Sequence, residues 1–254
     1  MAVLTLYYDV VSPWSMIAYT VLQRYRTRWN ANIVLKPMFL GGIMVASGNK
    51  PPITVKNKGL WMNGKDLPLA AKFYELEYKH PESFPVNTIH CMRVLRAVED
   101  KLPDRLEKAT ELFFDAVWRP SSGKTANDAI TPSTYPTLLK ALFSDSEIKQ
   151  LLEHANSVEI KGKLKSESKQ LVEEGGAFGF PWIVAQRDDG AQYPFFGSGA
   201  RVHIASSQPF LTPPFDRRLS ISAHADRFEQ IAFWLGKEWE GPVPGRKDAG
   251  KVKL

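Results

Sequence analysis

Apolar residues alternate or crowd together near the two ends of the chain and recur every three or four positions through its middle. Leu4 to Asp9 is short, apolar and β-prone, which predicts a first strand. It runs into Val10-Val11-Ser12-Pro13-Trp14, where a helix start is written: serine is a favoured N-cap, and proline suits the first helical position because its missing N–H has no intrahelical partner anyway. Ile17, Val21, Leu22 and Tyr25 follow at spacings of three and four, one buried face. Asn32 to Met38 predicts a second strand, with Pro37 marking an edge or a strand end. Strand, helix, strand over this length is a βαβ unit with a parallel pair.

Residues 41 to 65 are rich in Gly, Pro, Asn and Lys and read as a long ordered loop, a length that suggests a ligand role. From Asp66 to Glu174 the pattern is helical throughout. Ile89, Met92, Leu95 and Val98 form one stripe, and Leu106, Phe113 and Val117 another. Ser144 and Glu147 make a capping box ahead of Ile148, Leu151 and Leu152. Leu164, Leu171 and Val172 carry the last of these helices to Gly175-Gly176, which stops it. Phe180 to Ala185 reads as a strand entered through Pro181, Asp188-Asp189-Gly190 as a turn, and Gln192 to Phe196 as the second strand of a hairpin. Phe228, Ile231, Ala232 and Leu235 stripe a final helix closed by Gly236. Residues 199 to 225 are polar, proline-bearing and without period, and read as an excursion on the surface. The order β, α, β, helical insert, β, β, α predicts a thioredoxin-like α/β fold with an inserted all-helical domain. Its first half spans 1–62, the insert 63–175 and the second half 176–254, with the surface insertion at about 199–225.

The chain has 254 residues, 44% of them hydrophobic and 24% charged, which is ordinary globular usage and excludes extended disorder. Its one cysteine, Cys91, cannot form an internal disulfide, a CxxC pair or a cysteine-based zinc site, and reads as a small buried thiol in a reducing compartment. His80, His154, His203 and His224 are scattered without ligand spacing or a carboxylate companion, so no metal site is expected. The net charge of +6, from 33 basic and 27 acidic residues, favours anionic ligands in general. Basic and acidic residues are mixed along the helices, as in Lys101 to Glu111, rather than gathered in a stripe with aromatics, so nucleic acid is not an expected partner. No apolar run approaches the roughly 18 to 20 residues of a membrane span, and the N-terminus lacks the features of a secretory signal. Neither GxxxxGK[ST] nor GxGxxG occurs.

The turn between the first strand and the first helix holds Ser12-Pro13-Trp14-Ser15. Thiol oxidoreductases of this arrangement place C-x-x-C there, because a helix N-terminus stabilises a thiolate. Here both sulfur positions hold oxygen. The chain cannot exchange disulfides by itself, and any sulfur handled at this turn must arrive on a ligand. Taken alone, the Ser-Pro step is more simply a helix cap. Asp9, just before the turn, could tune it or be only a polar strand end.

Five stretches, in order across nearly the whole chain, resemble the kappa-class glutathione transferases. They are Tyr8-Asp9-Val10-Val11-Ser12-Pro13-Trp14-Ser15; Gly42-Ile43-Met44 with Ser47-Gly48-Asn49-Lys50-Pro51-Pro52; Lys58-Gly59-Leu60-Trp61-Met62; Gly176-Ala177-Phe178-Gly179-Phe180-Pro181; and Leu235-Gly236-Lys237-Glu238-Trp239-Glu240-Gly241-Pro242. The bacterial 2-hydroxychromene-2-carboxylate isomerases belong to the same superfamily. The resemblance implies glutathione as co-substrate and a homodimer. Ser12 matches the serine whose hydroxyl donates to the glutathione thiolate, with Pro13 and Trp14 beside it. Asn49 and Lys58 match loop positions that hold the glycyl end, and Lys56 is a nearby second candidate. Phe180 matches the residue before the cis-proline, whose backbone N–H and C=O pair with the cysteinyl backbone of glutathione, and Pro181 is that proline. In the family a Ser-Asp pair followed by Arg holds the γ-glutamyl end. Here Ser198 is followed by Gly199, and Asp226-Arg227 stands at the right spacing from Leu235-Gly236 and Trp239. Residues 199 to 225 therefore read as an insertion splitting the pair, with Ser198, Asp226 and Arg227 as candidates; Asp226 could equally be only the cap of the final helix.

The implied reaction is attack of glutathione thiolate on a small hydrophobic electrophile, such as an activated aryl halide or a hydroperoxide, with Ser12 as the thiolate stabiliser. Two alternatives stand beside it: a glutathione-dependent isomerase, in which the thiolate adds to a conjugated substrate and later leaves, and a noncatalytic thiol-ligand-binding protein. The expected location is the cytosol. The peroxisome comes second, since Lys251-Val252-Lys253-Leu254 ends in Lys-Leu without the small residue of the SKL signal.

Overall fold

Leu4, Leu6 and Tyr8 are sealed from solvent while Val3, Thr5 and Tyr7 between them are half-buried, the alternation that makes β1 (Ala2–Tyr8) a strand. In the computed structural model, which describes residues 1–120, 125–126, 130–197 and 227–246, β1 sits inside a four-stranded sheet ordered β2-β1-β3-β4. β2 (Ala31–Pro37) runs parallel to β1, as the βαβ reading requires, and β3 (Trp182–Gln186) and β4 (Gln192–Phe196) form an antiparallel hairpin. β3 is antiparallel to β1 with Tyr7 opposite Trp182. That register brings the exit of β1 and the entrance of β3 together, so the site turn and Phe180-Pro181 meet at one end of the sheet.

α1 (Pro13–Tyr25) starts where the sequence places it: Ser12 has extended backbone and its side chain accepts the Ser15 N–H. Ile17, Val21, Leu22 and Tyr25 are all buried. At the far end of α1 the Tyr25 hydroxyl donates to the Gly241 carbonyl at 2.6 Å, and Trp29 Nε1 donates to the Glu238 carbonyl at 2.9 Å. The Trp239 ring stacks on Tyr25 with centroids 4.8 Å apart.

Between β2 and β3 two expectations need correction. Residues 41–65 are not a loop: they fold as α2 (Leu40–Ser47), a 3₁₀ turn at Pro52–Thr54, α3 (Lys56–Trp61) and a π turn at Met62–Asp66, followed by α4 (Leu67–Phe73). α2 carries two glycines in its first turn and little one-sided pattern. What holds it is Ile43, buried in a cluster with Met38, Leu164, Leu171 and Phe180, contacts far along the chain that local periodicity cannot reveal. In the other direction, residues 75–88 are not helical. Pro81 and Pro85 remove helical donors, and the segment runs irregularly, with a cis Phe84-Pro85 peptide, into α5 (Ile89–Lys101).

α6 (Leu106–Trp118), α7 (Tyr135–Leu139), α8 (Asp145–Ala155) and α9 (Val158–Glu173) complete the helical part, with the capping box at Ser144 and Glu147 in place. α6 grips the end of β1: Trp118 Nε1 donates to the Val10 carbonyl at 2.8 Å, and the Tyr8 hydroxyl shares a hydrogen bond with Thr110. On the β2 side, buried Arg96 reaches Glu99 at 2.6 Å and Glu167 at 2.7 Å, and Glu99 also takes Lys36 of β2 at 2.6 Å. Cys91 is fully buried, its Sγ 3.7 Å from the Ile130 carbonyl, and burial pushes its thiol far above the ordinary range. His154 does have a carboxylate companion, Asp100 at 3.3 Å, supplied by α5 rather than by its own helix. Among the described residues no helix is long and apolar enough to cross a membrane. α10 (Arg227–Leu235) ends the regular structure with Phe228, Ile231 and Ala232 buried and Gly236 in the left-handed region.

Candidate active site

The site turn opens into a cleft of about 540 Å³ at the end of β1. Its walls are mostly apolar, with Phe39, Met44, Ile53, Trp61, Phe84 and Phe196 among them, and its polar side chains are few, Ser12, Asn49, Lys58 and Asp66 being four of them. A mainly apolar cavity with a few converging polar groups is the general form of a small-molecule site.

Ser12 is 5% exposed and faces the cleft beside Pro13 and Trp14. Its Oγ accepts the Ser15 N–H at 3.2 Å and donates to the Phe180 carbonyl at 3.3 Å, so it spans from the helix start to the residue before Pro181. The Phe180-Pro181 peptide is cis. Ser15 is sealed from solvent and is not among the residues that line the cleft.

α2 ends in Gly48, whose φ of +70° is the left-handed value that glycine tolerates best. The turn it makes aims Asn49 at the Phe178-Gly179-Phe180 strap: Nδ2 donates to the Phe178 carbonyl at 2.7 Å, while Oδ1 accepts the Lys50 N–H at 2.8 Å. At Gly179 a Cβ would lie 3.0 Å from the Phe196 ring, so any larger residue there would push that ring back from the strap. Lys58 lines the cleft from α3. Lys56, at the start of the same helix, is exposed and outside the lining. Arg227 lies behind Phe196, with Nε donating to the Phe196 carbonyl at 3.0 Å and Nη1 to Gln230 at 2.7 Å. Ser198 and Asp226, with the insertion at 199–225, lie outside the described residues.

Asp9 is fully buried and lines the cleft floor. Oδ1 accepts the Val11 N–H at 3.0 Å and the Thr88 hydroxyl at 2.7 Å, and Oδ2 accepts the Leu40 N–H at 2.8 Å. Burial pushes its carboxyl up to about 6, against the pull of those donors. The sequence left Asp9 undecided and missed Phe84, Asp66 and Thr88 altogether. Pro81, Pro85 and Asn87-Thr88 ahead of the Ile89 stripe were the available signal for a break that returns the chain to the cleft. Nothing local marks Asp66.

A thioredoxin-type sheet whose first helix begins at a buried serine, opposite a cis-proline, defines a class, and residues 3–203 match the DSBA-like thioredoxin domain family, to which the chain belongs. The chain is 32% identical to glutathione S-transferase kappa 1 of Rattus norvegicus over 247 residues, 95% of this chain and 94% of that protein. It is also 32% identical to glutathione S-transferase kappa 1 of Homo sapiens over 244 residues, 94% of this chain and 93% of that protein. Within the thioredoxin-like proteins it is therefore a kappa-class glutathione S-transferase. A solved 2-hydroxychromene-2-carboxylate isomerase shares the fold, with a TM-score of 0.56 at 19% identity, covering 71% of this chain and 84% of that one.

Proposed function

We propose that this enzyme binds glutathione in the cleft, with its sulfur beside Ser12, and holds it as the thiolate that attacks a small hydrophobic electrophile seated on the apolar walls. The observation that carries this reading is the buried Ser12 hydroxyl at the N-terminus of α1, opening onto a cavity of the right size and bonded to Phe180. A free thiol, with pKa about 8.5, is only a few per cent thiolate at pH 7. A helix N-terminus contributes roughly 0.3 to 2 kcal/mol to an adjacent anion, and a hydrogen bond to a charged acceptor roughly 1.5 to 3 kcal/mol. At about 1.36 kcal/mol per unit, even part of that sum lowers the thiol by one to three units. Thiolate then becomes the major form.

The serine stays protonated and acts as a donor. A hydroxyl has a single proton, which here points at the Phe180 carbonyl. When the cysteinyl N–H of glutathione takes that carbonyl, the Ser12 proton turns to the sulfur, and the Ser15 N–H continues to bond its oxygen. No hydrogen bond is lost in the exchange. Asn49 spends one of its two Nδ2 hydrogens on the Phe178 carbonyl and its Oδ1 on the Lys50 N–H, which leaves one N–H for the glycyl carboxylate, and Lys58 brings the charge that meets it. Arg227, with Ser198 and Asp226, is assigned to the γ-glutamyl end.

The direct test is the ultraviolet absorbance of thiolate, titrated with glutathione bound. A midpoint about one to three units below 8.5 is expected; a midpoint at the free value overturns the reading. Lys58→Ala should weaken glutathione binding about 5- to 30-fold by calorimetry, which corresponds to roughly 1 to 2 kcal/mol for a charged hydrogen bond, discounted because the lysine is exposed.

A further inference from the structure

Asp9 has no part in the transfer just described, yet it is the most deeply buried acid bordering the cleft. Its three donors come from three separate segments: Val11 from the site turn, Leu40 from the first turn of α2, and Thr88 from the residue preceding α5. In addition, its own carbonyl accepts the Ser12 N–H at 3.0 Å. The N-cap residues of α2 and α5 make no side-chain cap bond; Asn87 Oδ1 accepts the first N–H of α5 at 3.2 Å, while the Asp9 carboxylate answers the first N–H of α2 and fixes the Thr88 hydroxyl at the start of α5. All three partners donate and none accepts, which suits an anion and not an amide. An asparagine here would turn an NH₂ toward at least one donor.

We propose that Asp9 is a positioning residue for the thiolate site: its ionised carboxylate draws the site turn, α2 and α5 to one point and thereby sets where the Ser12 hydroxyl stands. This rests on the glutathione reading above. The cleft works with Asp9 charged, because a protonated carboxyl would turn its own O–H against one of the three donors. Around Asp9, Tyr8 of β1 and Cys91 of α5 are both held protonated by burial and bring no charge. His90, one residue before Cys91, lies about 100° round the helix. The site turn and the whole of α2 contain no ionisable side chain. Asp66, Lys50 and Lys58 line the same cavity from farther along the chain.

The carboxyl ionises at about 6, so its protonation falls on the acid side of the working range. The measurement is kcat/KM for an activated aryl halide at saturating glutathione, as a function of pH, which reports ionisations of the enzyme–glutathione complex. The wild type is expected to fall with a log–log slope approaching 2 below pH 6, one proton for the thiolate and one for Asp9. Asp9→Asn should fall with a slope of 1 and a plateau at least several-fold lower, while still binding glutathione by calorimetry. Thr88→Val covers the case in which Asp9→Asn does not fold. It removes one donor from the charged form and should move the second midpoint upward by about one unit. Equal slopes in wild type and Asp9→Asn, or an unmoved midpoint in Thr88→Val, overturn the proposal. A bound thiol that titrates at its free value instead overturns the thiolate reading itself, so the two failures are distinct.

Discussion

Ser12→Ala lowers kcat roughly 10- to 150-fold at a pH below the thiol midpoint, with glutathione affinity changed only a few-fold. The size follows from one lost hydrogen bond to a charged acceptor, roughly 1.5 to 3 kcal/mol, at tenfold per 1.4 kcal/mol. The helix N-terminus remains, so part of the thiolate stabilisation survives. The substitution also removes the α1 cap, worth about 1 kcal/mol. That is small beside the roughly 5 to 15 kcal/mol of a folded domain, and unfolding therefore cannot account for a hundredfold loss. Parallel measurements of kcat, glutathione affinity and the thiolate midpoint check it. The midpoint should rise by about one to two units. Equal losses of turnover and affinity, or no loss in either, would favour a protein that binds a thiol ligand without reacting it.

The largest stability effect is expected at Glu99. The Arg96 side chain is 2% exposed, whereas its partners Glu99 and Glu167 are 16% and 34% exposed. The guanidinium is thus the buried charge, and the carboxylates are what make its burial tolerable. Glu99→Ala strips one of its two acids, frees Lys36, and leaves Arg96 with the more exposed Glu167. A loss of about 3 kcal/mol is expected, the lower end for breaking a buried pair, or a Tm about 6 to 12 °C lower for a chain of this size. Arg96→Met should cost less, about 1 to 2 kcal/mol, since the stem volume is kept and the two acids can rehydrate or turn to Lys36. Urea unfolding of both variants tests the order. A larger loss for Arg96→Met would reverse the account of which group carries the cost.

Much of the frame was legible because its signals are local. Ser12-Pro13 marks the start of α1, the alternation of Leu4, Leu6 and Tyr8 marks β1, and Pro181 marks the entry to β3. The candidate site turn carries the same local mark, a serine and a proline at a helix N-terminus directly after the first strand. The segments that wall the cleft carry weaker local signals. α2 is held by Ile43 against α9, and the 75–88 stretch is bent back to the site by prolines inside an otherwise helical composition. Both depend on partners distant in the chain. Asp9 illustrates the limit: an acid at the end of a strand looks like a solvated terminus, and only the fold reveals that Leu40 and Thr88 close over it. Lys56 and Lys58 are indistinguishable by composition, and both are exposed; the roughly half turn of α3 between them puts only Lys58 on the cleft.

The hydrogen bonds that tie Trp118 and Thr110 of α6 to Val10 and Tyr8, together with the Thr88 hydroxyl on Asp9, make the helical segment part of the candidate site's foundation. A trimmed protein that spliced β2 straight to Phe180-Pro181 and β3 would keep the serine and the cis-proline in sequence, but would leave the Val10 carbonyl without Trp118 and the Asp9 carboxylate with only the Val11 N–H of its three donors. Miniaturising this scaffold to its sheet would therefore unseat the serine turn along with the helices.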